Sequence, residues 1–380
     1  MRLSLRRKQI TAVTALVALM TATAAGPALA APHPDVQRSL DAITAGGAPG
    51  ALATAHDRAG QVWWARSGVG DVVTGDPIPE RGRFRAGSVT KTFVATVVLQ
   101  LVAEGRVELD SPVEEHLPGV IAGNGNDGTA ITVRQLLQHT SGIYDYLQEF
   151  LAVDPEELRH RGADPAELVG IAMQHEPLFP AGTSWSYSNT NYVLAGMLVE
   201  RVTGRSIHTE IAERIVEPLG LRGTHLPVRG EERLPGPHPR GYAPGEPLID
   251  FTEFDPSIGG AAGALISTGE DLNRFYEALL GGRLLPPEQL AEMQRTIPAD
   301  IGPDGAAYGL GLASVPLSCG GEFWGHGGDI IGFSTLAATT GDGRSATVVA
   351  NLNPATPEIR RALFATADAA ICATDRSAGR

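Results

Sequence analysis

Apolar and polar positions alternate in different ways along this chain. Between Gly50 and Gly70, two apolar runs at 51–56 and 61–66 flank Asp57-Arg58-Ala59-Gly60, a pattern that predicts a β-hairpin. A matching pair at 332–339 and 345–352 brackets Thr340-Gly341-Asp342-Gly343-Arg344 near the other end, and 357–370 then has helical spacing with Pro357 in its first turn. The middle reads as helix and loop. Residues 92–104, rich in Val and Leu and closed by Gly105, predict a buried helix, and 131–138 a shorter one leading into His139-Thr140-Ser141-Gly142. Another spans 191–202, ending near Gly204, and Ser267-x-x-Glu270 reads as the capping box of a helix that stops at Gly281-Gly282. Residues 226–260, dense in Pro and Gly, predict a long surface loop at the border of a cleft. The expected architecture is α/β (α+β): one antiparallel sheet built from both chain ends and flanked by helices, about 31–84 plus 300–380, with a mostly helical lobe inserted at about 85–299.

Residues 1–30 change this picture at the N-terminus. Arg2, Arg6, Arg7 and Lys8 precede an apolar stretch at 10–25 and the small-x-small site Ala28-Leu29-Ala30, which together read as a secretory signal. The remaining 31–380 form a single catalytic domain on this reading, and a retained N-terminal anchor is the alternative. The apolar stretch is short and Thr-rich for a membrane span, and Arg6-Arg7 leaves the export route open. Without those four cations the formal charge falls from −13 to −17, which disfavours nucleic acid and anionic membrane surfaces as partners. Two cysteines, Cys319 and Cys372, suit one disulfide in an exported protein, pinning the C-terminal helix to the sheet; two buried thiols are the alternative.

Candidate chemistry begins with the lysines. There are two, Lys8 and Lys91, against twenty-eight arginines. Wherever charge alone is needed the chain uses arginine, so the lysine three residues after Ser88 invites a role that arginine cannot fill. A desolvated lysine can lose its proton and act as a base, whereas a guanidinium cannot. Tyr187-Ser188-Asn189 sets a phenol, able as phenolate to relay the serine proton, two positions from a carboxamide that can bind a substrate amide. Trp324-Gly325-His326-Gly327-Gly328-Asp329 precedes the late hairpin, where glycines let a substrate backbone approach a strand and His326 can face the same cleft. Each stretch alone also reads as an exposed helix position or a structural turn.

In order and spacing, Ser88-x-x-Lys91, Tyr187-x-Asn189 and His326-x-Gly328 resemble the motifs of the serine β-lactamase and DD-peptidase superfamily, and most closely its secreted actinomycete D-alanyl-D-alanine carboxypeptidases. The resemblance extends through Phe84-Arg85-x-Gly87-Ser88-Val89-Thr90-Lys91, Leu136-Leu137-x-His139-x-Ser141-Gly142, Tyr187-Ser188-Asn189-Thr190-Asn191 and Leu317-Ser318-Cys319-Gly320. It implies a penicillin-binding serine hydrolase acting on peptidoglycan peptides, esters or β-lactams, without metal or cofactor. Ser88 is then the acylated nucleophile and Lys91 and Tyr187 the proton-handling pair. Asn189, His326, Gly328 and Asp329 contact substrate, and the Ser88 and Asp329 N–H groups form the oxyanion hole. Departures fall at the carboxylate-holding positions: Ala313 replaces an expected arginine, and Gly327 and Asp329 replace hydroxyl-bearing residues. An aspartate facing the pocket repels a carboxylate. An esterase, a class C-like β-lactamase (whose pattern has Lys in place of His326) and a silent peptidoglycan-binding module are the rivals. An α/β-hydrolase lacks its Gly-x-Ser-x-Gly elbow here, and a metalloprotease lacks a second histidine after His175-Glu176.

Overall fold

The two ends of the chain meet in one antiparallel sheet. The computed structural model describes residues 34–151 and 153–376; the expected signal at 1–30 lies outside them. After helix α1 (Pro34–Ala45) come strands β1 (Gly50–His56) and β2 (Val62–Gly68). The other six follow the helical part: β3 (Ile297–Pro298), β4 (Ala307–Tyr308), β5 (Ala313–Pro316), β6 (Glu322–Ile330), β7 (Phe333–Thr339) and β8 (Ser345–Ala350). Their order in space is β2-β1-β8-β7-β6-β5-β4-β3. The first hairpin thus joins the last, with Ala51 opposite Ala350 and His56 opposite Ser345.

Helices cover both faces of the central strands, so these strands read as continuous buried runs with little polar alternation. On one face, Ala51, Ala53 and Ala55 with Ala346, Val348 and Ala350 form a core with Val36, Leu40 and Ile43 of α1. Helix α5 (Pro357–Arg376) adds Ile359, Ala367 and Ile371 to that core. The small strand residues let these helices lie close. The opposite face meets α4 (Gly269–Leu280) through polar groups that satisfy one another. Asn273 Nδ2 donates to the Thr54 carbonyl at 3.0 Å and Thr347 Oγ1 to Asn273 Oδ1 at 2.7 Å. Glu277 accepts from Ser345 at 2.6 Å and lies 2.8 Å from His56 Nδ1. A side chain at Gly269 would come within 2.4 Å of Thr54 Oγ1, so this helix start needs glycine.

Helices α2 (Thr90–Ala103) and α3 (Thr190–Thr203) centre the second core. Phe93 of α2 stacks on Phe275 of α4, with centroids 3.7 Å apart. Two expectations are corrected. The cap of α4 is Thr268, whose hydroxyl accepts from Asp271 N, because Ser267 is paired in a short strand with Phe84 and bonded to Thr224. The 226–260 segment lies over the surface only in part: Tyr242, Ala243, Phe251 and Phe254 are buried. Arg85 holds it in place, donating to the carbonyls of Glu232, Thr252 and Phe254 with its guanidinium 4.1 Å from the Phe254 ring.

Cys319, in the turn between β5 and β6, is disulfide-bonded to Cys372 of α5, as the exported-protein reading expects. No helix among the described residues is long and apolar enough to cross a membrane.

Candidate active site

Ser88 sits in a single 3₁₀ turn, Gly87–Val89, that leads into α2. Gly87 has φ +55° and a Cβ there would fall 2.8 Å from the backbone N of Asp329, so glycine lets the nucleophile's turn press against β6. The contact is reciprocal. A Cβ on Gly328 would meet the Ala86 carbonyl at 1.9 Å, whereas one on Gly327 would find nothing nearer than 3.9 Å. Gly328 is therefore required for the approach of the protein's own nucleophile loop, a different reason from the substrate approach that the motif suggested. Thr90 Oγ1 fixes the turn by donating to Gly87 O at 2.6 Å and accepting from Leu265 N at 3.0 Å.

Lys91 is fully buried. Its Nζ lies 3.0 Å from Ser88 Oγ, 2.7 Å from Asn189 Oδ1 and 2.7 Å from the Ala262 carbonyl. Two of these partners can only accept; the serine hydroxyl can also donate. A neutral amine has two N–H bonds and one lone pair, so it satisfies both carbonyl oxygens and turns its lone pair to the Ser88 hydroxyl. Burial lowers the Lys91 pKa to about 7, with the Asp145 charge opposing the shift. The base that the sequence calls for is thereby available near neutral pH.

Tyr187 lies beside the pair, its ring centroid 4.8 Å from Lys91 Nζ. Burial raises the phenol's pKa, against the lowering effect of Ser88. At rest the group is a phenol, which corrects the phenolate of the sequence reading. The Tyr187–Asn191 turn is held from behind by the His139 segment, which explains that motif. His139 adopts φ +62°, unusual for a residue with a side chain, and accepts at Nδ1 from Ser188 N at 3.2 Å and Asn191 Nδ2 at 3.1 Å. Its ring lies 4.2 Å from that of Tyr187. Ser141 Oγ donates to Asn191 Oδ1 at 2.6 Å. Burial keeps His139 neutral.

Asn189 was expected to bind substrate, but both ends of its amide are committed inside the protein. Its Oδ1 accepts from Lys91, while Nδ2 donates to Asp145 at 3.0 Å. Asp145 also accepts from the backbone N of Asn189 at 3.1 Å and of Leu147 at 3.2 Å. The sequence gives no sign of this carboxylate, because Tyr144-Asp145-Tyr146 carries no spacing that sets it apart. Nor does any spacing in the sequence set apart Tyr308, which meets His326.

His326 of β6 lies on the same strand face as Gly328 and is 5% exposed. Its Nε2 is 2.9 Å from Tyr308 OH, and Nδ1 contacts the Gly327 carbonyl. With Nδ1–H donating to that carbonyl, Nε2 accepts from the phenol, so both nitrogens are used. Burial and the Lys91 charge hold its pKa at about 3, and the ring stays neutral in ordinary buffers. Asp329 corrects the sequence reading most clearly. Alternation puts its side chain on the opposite face of β6 from His326. There its carboxylate accepts from Asn353 Nδ2 at 2.9 Å and pairs with Arg360 of α5. Its charge is matched there and is not directed into the cleft. Ala313 is buried in β5 opposite Gly325. Among the described residues no cluster of His, Cys, Asp or Glu suits a metal ion.

The chain is similar to known proteins in sequence and fold. The Beta-lactamase family matches residues 18–371. An esterase of Burkholderia gladioli is 30% identical over 301 residues, 68% of this chain and 74% of its own length. A D-aminopeptidase of Cereibacter sphaeroides is 28% identical over 320 residues, 83% of this chain but 59% of that enzyme's length. Among solved structures, a D-stereospecific amidohydrolase from Streptomyces sp. is 46% identical with a TM-score of 0.80, covering 87% of this chain and 98% of its own. The D-amino acid amidase from Ochrobactrum anthropi SV3 is 27% identical, also at a TM-score of 0.80, over 91% and 99%. With a family match spanning almost the whole chain, on a fold that sets Ser88 and Tyr187 around the buried Lys91, this protein belongs to the Beta-lactamase family and is a serine hydrolase of it.

Proposed function

We propose that this enzyme is a D-stereospecific amidohydrolase, cleaving amides of D-configured amino acids or short peptides through an acyl-Ser88 intermediate. The observation that carries the reading is the buried Lys91, poised to take the Ser88 proton, in a chain 46% identical to a D-stereospecific amidohydrolase along 98% of that protein. Lys91 accepts the proton as Ser88 Oγ attacks the amide carbonyl. The N–H groups of Ser88 and Asp329 receive the oxyanion on this reading, which the close approach of the Gly87 turn to the Asp329 backbone supports. Collapse breaks the C–N bond, and the proton returns through Tyr187 to the leaving nitrogen. Water then cleaves the acyl ester by the same path, releasing the acid and restoring Ser88.

The D-Ala-D-Ala carboxypeptidase implied by the motifs is the second reading, and similarity to a penicillin-binding protein of Amycolatopsis lactamdurans, 30% identical over 235 residues, favours it. Recognition of a terminal carboxylate is strengthened by a cation, however, and Ala313 stands where the resemblance expects an arginine, while Arg360 is paired with Asp329 on the face of β6 away from His326. A charge-assisted hydrogen bond forgone there is worth ~1.5–3 kcal/mol, or roughly 10- to 100-fold in affinity. The test compares kcat/KM for D- and L-phenylalanine amide, acyl-D-Ala-D-Ala and its C-terminal amide. The proposal expects D over L and the amide at least equal to the free acid; strong preference for the free acid restores the carboxypeptidase. Export is part of the proposal, in keeping with the disulfide, and is checked by finding the protein in culture supernatant.

A further inference from the structure

We propose that Asp145 is a positioning residue for the proton transfer from Ser88 to Lys91: it holds the Asn189 amide with its oxygen toward the lysine and sets a negative charge behind that amide. The inference rests on the reading of Ser88 and Lys91 given above.

The geometry leaves the amide one orientation. Asn189 Nδ2 lies 3.0 Å and 3.3 Å from the two Asp145 oxygens, which as a carboxylate can only accept. Oδ1 must then point at Lys91, 2.7 Å away. Were the amide turned, an N–H of Asn189 would compete with Ser88 for the lone pair of the neutral amine. Asp145 thus decides where that lone pair goes. It is buried, 9% exposed, and burial raises its pKa; the two backbone N–H groups it accepts besides the amide, and the charge of Lys91, oppose that rise and favour the ionised carboxylate.

The charge has a second effect. The titratable groups around Lys91 are Tyr187 and Tyr192, with ring centroids 4.8 and 5.6 Å from its Nζ, and the histidines His139 and His326. Burial keeps both phenols protonated and both imidazoles neutral. The Asp145 carboxylate is the negative charge that favours the ammonium form of Lys91, against burial. Without it, burial acts alone and Lys91 deprotonates at lower pH. Only a carboxylate whose charge does not reach the amine, and whose part is confined to capping the short helix Leu147–Leu151, would leave that pH unchanged.

Lysine labelled with ¹³C at Cε gives a direct readout, because the chain has only Lys8 and Lys91, and Lys91→Met assigns the buried signal. The NMR titration is run beside the pH dependence of Ser88 acylation by a p-nitrophenyl ester, in the wild type, in Asp145→Asn, and in the swap Asp145→Asn with Asn189→Asp. The proposal expects Asp145→Asn to lower the Lys91 midpoint and the acid limb of acylation together by about one unit or more. The swap, which puts the carboxylate directly on the lysine, should raise both above wild type. If Asp145→Asn fails to fold, the swap alone decides. Midpoints unmoved in the variants, with only thermal stability lost, overturn the role of Asp145 while leaving the catalytic reading intact. A wild type that is not acylated at Ser88 removes both.

Discussion

Replacing Lys91 by arginine separates charge from basicity. The wild-type amine is buried and has a pKa of about 7, so near neutral pH roughly half of the enzyme carries a lone pair 3.0 Å from Ser88 Oγ. The guanidinium of Lys91→Arg keeps the cation and supplies donors for Asn189 Oδ1 and the Ala262 carbonyl, but it cannot accept a proton. A positioned base contributes ~10²- to 10⁴-fold, or about 3–5 kcal/mol of barrier, so acylation should slow by at least the lower figure. The acid limb expected near pH 7 in the wild type should also vanish, because its titrating group is gone. Stopped-flow release of p-nitrophenol measures the acylation step, and circular dichroism with a thermal melt confirms the fold. Near-wild-type acylation by a folded Lys91→Arg, with the limb still near pH 7, would refute the assignment and make another group the base.

Lys91 should also cost stability in a pH-dependent way. Its folded pKa is below the unfolded value, so between about pH 7 and 10.5 the unfolded chain binds more protons and wild-type stability rises with pH. The shift corresponds to about 5 kcal/mol as an upper figure, and Lys91→Met should remove that dependence. Urea titrations of both proteins at pH 7 and pH 9.5 check this, and a stability difference that does not change with pH contradicts it. Reduction of Cys319–Cys372 releases a loop with a sequence separation of 53 and should lower the unfolding free energy by about 4 kcal/mol on the chain-entropy estimate. Cys319→Ser with Cys372→Ser, compared with wild type by denaturant unfolding, tests it; equal midpoints at equal slopes would show that the bridge adds nothing.

The legible parts of this protein were those where local chemistry and function coincide. Both hairpins, and the helices over 90–103 and 190–203, follow from runs of Val, Leu and Ala between Gly-containing turns. Ser88 and Lys91 stood out through lysine scarcity, and Tyr187 through its place in a motif. Asp145 and Tyr308 were invisible because they reach the site through tertiary contacts between segments distant in sequence. Asp145 meets Asn189 across 44 residues and Tyr308 meets His326 across 18. Asp329 misled because strand alternation decides which face a side chain takes, and its partner Arg360 lies 31 residues further on, in α5. The cap falls at Thr268, one residue beyond the equally good capping residue Ser267, because Ser267 is drawn into a strand by Phe84.

Intact-mass spectrometry of the protein trapped with a slowly deacylating ester or β-lactam tests the account most directly. The account predicts one covalent adduct, mapped by peptide digestion to Ser88, formed with an acid limb near pH 7 and absent from Ser88→Ala. An adduct of equal yield in folded Ser88→Ala would contradict it.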